Sequence, residues 1–130
     1  MDPAELRSIP LFASLSDTER SQIALWADEI EIPEGKLLAK EGEFAYEFFV
    51  IREGTAEVTK DGKQLTELGA NDFFGEIGLV ESERRTATVV ATSPMRVVVM
   101  FGPHFRRMER EMPQIAERIR GAIRERLARG

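Results

Sequence analysis

A carboxylate and a guanidinium nine residues apart, Glu76 and Arg85, stand in the run FFGEIGLVESERRTATVV at 73–90. Gly75 and Gly78 bracket the acid, so another group can approach the backbone closely there. Thr86, Ala87 and Thr88 follow the arginine, leaving space beside it and adding hydroxyl donors. A phosphate calls for a guanidinium fork and free backbone N–H groups, whereas a sugar hydroxyl calls for an acceptor-only carboxylate. The run supplies both. The alternative is a structural ion pair whose glycines serve a tight turn. A charged pair buried without a third partner gains little, whereas the same groups arranged around an anion are satisfied.

Other chemistries find less support. A metal site on a β-rich scaffold usually needs two or more imidazoles with a carboxylate. The chain has one histidine, His104, in a region patterned as helix, and no acid pair at ligand spacing within one strand. Metal ligands are therefore not expected. There is no cysteine, and no serine stands in a nucleophile-elbow context, so neither catalysis nor a cofactor is expected.

The elements that must position the 73–90 run fall into three zones: 1–28 helical, 29–101 β-rich and 102–130 helical. Ser16-Asp17-Thr18-Glu19 is a capping box, and Ile23, Trp26, Ala27 and Ile30 recur after it at helical spacing. Ile9-Pro10-Leu11-Phe12 forms an apolar segment expected to pack on the domain edge. From residue 29 to residue 100 glycines punctuate short apolar or alternating runs, and Asp61-Gly62 signals a type I′ hairpin. Such spacing predicts a sandwich or jelly roll. Pro103 opens a helix with Phe105 and Met108 on one side, and Pro113 a second with Ile115, Ile119, Ala122, Ile123 and Leu127 in a stripe.

At 130 residues, 42% hydrophobic and 32% charged, the chain reads as one globular domain. Residues 1–103 carry a net charge of −9 and residues 104–130 one of +4. The acidic body argues against direct nucleic-acid binding. In the basic tail arginines alternate with glutamates, the pattern of a solvated or partner-facing helix. No membrane-spanning run or signal segment is seen, and the absence of cysteine suits a cytoplasmic setting.

The run resembles the phosphate-binding cassette of cyclic nucleotide-binding domains, whose pattern is F-G-E-x-A-L, a short variable stretch, then R-[STA]-A-T-V. Here it reads Phe74-Gly75-Glu76-Ile77-Gly78-Leu79 and Arg85-Thr86-Ala87-Thr88-Val89. The similarity extends over nearly the whole chain, through Ile9–Phe12, Gly35, Glu41-Gly42 and Phe49-Val50-Ile51 to Gly54. It departs at Gly78, where the family usually has Ala, and at Asn71, where it usually has Gly. The fold it implies is an eight-strand jelly roll with an N-terminal helix, a short cassette helix, and B and C helices at the C-terminal end.

The resemblance implies that Glu76 accepts from the ribose 2′-hydroxyl. Arg85 pairs with the cyclic phosphate, aided by Thr86 and by N–H groups near Ile77 and Gly78. It favours cAMP, with cGMP the alternative. For the base, Arg126 is a candidate to stack on the purine and Ile119 or Ile123 to form an apolar lid; equally, that stripe packs on the barrel or on a second copy, making a homodimer plausible. Ligand binding is expected to draw the C-terminal helices over the base and signal to an unidentified effector. The competing readings are a scaffold or dimerisation module that binds no nucleotide, and a regulatory domain taken from a larger channel, transporter or transcription regulator.

Overall fold

The computed structural model describes residues 1–43, 47–74 and 87–129, with 122–129 described by backbone alone. Three short helices lead: α1 (Pro3–Leu6), α2 (Pro10–Ala13) and α3 (Asp17–Ala24). Eight strands follow, namely β1 (Ala27–Ile32), β2 (Leu37–Ala39), β3 (Glu47–Glu53), β4 (Ala56–Lys60), β5 (Lys63–Leu68), β6 (Phe73–Phe74), β7 (Thr88–Ala91) and β8 (Met95–Phe101). Helices α4 (Gly102–Glu111) and α5 (Pro113–Arg129) end the described chain. The strands form two antiparallel sheets, ordered β1-β8-β3-β6 and β2-β7-β4-β5. This is the expected eight-strand jelly roll.

Helical caps follow from local chemistry. The Ser16 hydroxyl accepts from the Glu19 N–H, and the Glu19 carboxylate accepts from the Ser16 N–H, completing the capping box. Asp2 caps α1 by accepting from the Ala4 N–H at 2.9 Å, with Pro3 opening the helix. Pro103 sits in the first turn of α4 as expected. At the β4–β5 hairpin Asp61 and Gly62 have φ of 53° and 77°, both positive as a type I′ turn requires.

One expectation is corrected. Trp26, Ala27 and Ile30 do not continue the helix that carries Ile23. Helix α3 stops at Ala24, and Ala27–Ile32 is strand β1, paired with β8 from Ala27↔Met100 to Ile32↔Met95. Six residues of pairing to a distant, strongly β-branched strand outweigh a loose helical spacing, and Ile30 is left 40% exposed.

At the centre of the first sheet β3 and β8 are buried on both faces, which explains their unbroken apolar runs. Along β3, Phe48 and Val50 join a cluster with the helices, whereas Phe49 and Ile51 point into the roll. Along β8, Val98 and Met100 face the helices while Val97 and Val99 face the roll. The helical cluster includes Ile9 and Phe12, as expected for the apolar segment, with Leu6, Phe105, Met108, Ile115 and Ile119. Buried Arg20 holds it together: its guanidinium donates to the carbonyls of Phe12 (3.4 Å), Ala13 (3.2 Å) and Leu15, and pairs with Asp17 at 2.6 Å. Arg52 of β3 ties the N-terminal helices to this sheet through Glu5, Ser8 and Glu29.

Candidate ligand site

Gly75, Glu76, Ile77, Gly78, Leu79, Arg85 and Thr86 lie outside the described residues, so the site is defined here by what brackets them. The run leaves from β6, two residues paired to β3 through Phe49↔Phe74 and Val50↔Phe73. Alternation sends the two aromatic side chains to opposite faces. Phe74 is buried in the roll and stacks on Phe49, with centroids 4.7 Å apart and planes 16° apart. Phe73 packs toward the helical cluster, its centroid 5.7 Å from that of Phe48. The turn before them is equally fixed. Asp72 accepts from the Gly69 N–H at 2.8 Å, and the main chains of Asn71 and Asp72 both bond Ile51. Asn71 has φ of 73°, a left-handed conformation that Asn tolerates better than most residues, which accounts for its standing where the family usually has Gly.

The run is received by the other sheet. Ala87 and Thr88 are half-buried, and Val89 is buried in the roll. β7 lies between β2 and β4, an interior position of the second sheet. The Thr88 hydroxyl accepts from the Glu41 N–H at 3.1 Å, and the Glu41 carboxylate accepts from the Asp61 N–H at 3.1 Å. One acid thus links the strand that follows the run to the tip of the β4–β5 hairpin. The resemblance marks Glu41-Gly42 without a role. Its positioning role was not legible, because the two bonds span 47 and 20 residues of sequence.

Of the base-cap candidates, Ile119 is 2% exposed and packs in the helical cluster with Ile115 and Ala116. The side chains of Ile123 and Arg126 lie outside the described residues. The first half of α5 is tied down by charge as well. Arg118 meets Glu19 at 2.7 Å, and Arg120 pairs with Glu109 and lies 5.6 Å over the Phe105 ring. Glu19 therefore serves both the α3 cap and an α5 arginine. Its carboxyl is held below the ordinary range, first by the Ser16 N–H and then, against the opposing cost of burial, by Arg118. Asp17 is lowered by the hydrogen bonds from Arg20 and Arg7. His104 sits in α4, outside the roll as expected, edge-on to Phe101, with Nδ1 buried and without a hydrogen-bond partner among the described residues. Among the described residues no helix is long and apolar enough to cross a membrane.

Known proteins are similar to this chain in sequence and fold. The chain is 31% identical over 104 residues to a cAMP-dependent protein kinase regulatory subunit of Schizosaccharomyces pombe, covering 79% of this chain and 25% of that one. It is 31% identical over 119 residues to a cyclic nucleotide-gated potassium channel of Rhizobium etli, covering 92% and 33%. The chain thus spans a quarter to a third of these relatives' length. A crystal structure of a cyclic nucleotide-binding protein from Geobacter metallireducens superposes with a TM-score of 0.85 at 27% identity, covering 98% of both chains. The model of the cyclic nucleotide-binding domain matches residues 29–111, from β1 to the end of α4, and the chain belongs to that family.

Proposed function

We propose that this domain is a sensor of a cyclic purine mononucleotide, preferring cAMP to cGMP, and that it acts by regulation and not catalysis. The observation that carries the reading is the bracketing of the acid–arginine run. Phe74 locks one end into the first sheet, and Thr88, through Glu41, locks the other into the second. That bracketing sets where the run leaves one sheet and enters the other, which supports a reading in which Glu76 accepts from a ribose hydroxyl and Arg85 pairs with a phosphate. The kinase relative is named for its dependence on cAMP, which supports the preferred base.

The proposed output is movement of the C-terminal helices. Cyclic nucleotide shifts their position only as far as it binds one arrangement better than the other. Since Ile119 is committed to the helical cluster, Arg126 and Ile123 are the better candidates to meet the base. Titration calorimetry with cAMP and cGMP tests the reading. Arg85→Ala is expected to cost about 2–5 kcal/mol of affinity, as for a buried charge losing its partner. Binding no tighter than about millimolar by the wild type, or an unchanged affinity in Arg85→Ala, would leave the non-binding scaffold as the better account.

A further inference from the structure

We propose that the outward face of α4 is a docking surface for a short acidic segment of a partner protein. Nine arginines have described side chains, and seven of them are ion-paired: Arg7, Arg20, Arg52, Arg96, Arg107, Arg118 and Arg120. Arg106 and Arg110 have no carboxylate partner among the described residues, in a chain where Asp and Glu outnumber Lys and Arg by 23 to 18. They stand one turn apart on the same face, both exposed, with Arg107 beside them. The opposite face of α4 is fully committed, because Phe105 and Met108 are buried and Glu109 is taken by Arg120.

Folding does not account for this pair. Like charges at this spacing repel. Arg110 in the last turn suits the helix dipole, but Arg106, a turn earlier, gains nothing from it. The choice of residue also points outward: all eight cations of residues 104–130 are arginine and none is lysine, whereas residues 1–103 use both. A guanidinium fork recognises a carboxylate with a geometry that an ammonium lacks. Cβ atoms at this spacing are about 5–6 Å apart, close to the separation of about 7 Å between alternate side chains of an extended peptide.

The body's charge decides what kind of acid fits. With −9 on residues 1–103, a long polyanion such as duplex DNA, or an anionic bilayer, is repelled wherever it extends past the patch. A segment of a few residues covers the arginines alone.

Fluorescence anisotropy with a labelled Glu-Ser repeat of about eight residues, against a Gln-Ser control, tests the proposal. The wild type is expected to bind the acidic peptide at low salt and to lose it as ionic strength rises from about 0.01 M to about 0.15 M. Arg106→Glu with Arg110→Glu should weaken binding about tenfold or more, and Arg106→Lys with Arg110→Lys less. Thermal melts of these exposed variants should match the wild type. An unchanged affinity in the double Glu variant overturns the proposal. So does tighter binding, dependent on the same arginines, to duplex DNA or to phosphatidylserine vesicles. Concentration-dependent dimers abolished by the double Glu variant would overturn it in favour of a second copy.

Discussion

Replacing Gly54 with alanine separates two costs that glycine substitutions usually mix. Gly54 joins β3 to β4 with φ of 93°, and a Cβ added there meets the Pro94 carbonyl oxygen at 2.4 Å and Met95 Cα and Cγ at 2.9 Å. The obstacle is mostly main chain, held by Thr55 N–H on Ser93 Oγ at 3.0 Å and Thr92 N–H on the Thr55 carbonyl at 2.9 Å. Gly62 has φ of 77°, but a Cβ added there meets nothing within 4 Å among the described residues. At either position, left-handed backbone costs an alanine about 1–2 kcal/mol, offset by about 0.4–1 kcal/mol from the stiffer unfolded chain. Gly62→Ala should therefore lose about 1 kcal/mol. Gly54→Ala adds overpacking of about 1–3 kcal/mol, for a total of about 2–4 kcal/mol. At about 4 °C per kcal/mol for a domain of this size, melts followed by circular dichroism should drop by about 4 °C and about 8–16 °C respectively. Equal drops in the two variants would refute the steric argument.

Arg20→Met strands the carbonyls of Ala13 and Leu15, whereas that of Phe12 keeps the Leu15 N–H at 3.2 Å, and should cost about 2–4 kcal/mol in urea unfolding. A loss below about 1 kcal/mol would mean that water re-satisfies them. Asp17 and Glu19 have lowered carboxyl pKa values, so their contribution is fully present above the ordinary values of 3.8 and 4.5 and is lost as pH falls through the folded values below those. Melting temperatures from pH 7 down to about 3 should fall less steeply in Asp17→Asn/Glu19→Gln than in the wild type. An identical slope would count against the two carboxylates as acid-labile supports.

Local signals proved legible where one short segment determines the outcome. The capping box at Ser16–Glu19, the hairpin at Asp61-Gly62 and the proline-led helices α4 and α5 all formed where residue chemistry placed them. Asp2-Pro3 carries the same kind of signal for α1, a cap followed by proline, but a helix one turn long has no apolar periodicity to mark it. What was not legible depends on distant partners. The end of α3 at Ala24 is set by β8, some seventy residues on, which recruits Ala27–Ile32 into the sheet. Glu41 likewise reads as an ordinary surface acid until β7 and the hairpin tip are brought to it. For the candidate site the residue types were legible and the supports were not. Phe74 and Thr88 matter through the strands they pair with, and pairing is a property of the whole roll.

The double burial of β3 and β8 bears on how the domain can be handled as a piece. The family match covers residues 29–111, yet the helical cluster draws Leu6, Ile9, Phe12 and Ile23 from before that span and Ile115, Ala116 and Ile119 from after it. Trimming to that span would leave Phe105 and Met108 of α4 as the remaining helical cover over Phe48, Val50, Val98 and Met100, which lie side by side on β3 and β8. An apolar sheet face so thinly covered invites aggregation. The smallest independently expressible unit is therefore wider than the smallest recognisable one, and takes in the cluster from Leu6 of α1 to Ile119 of α5.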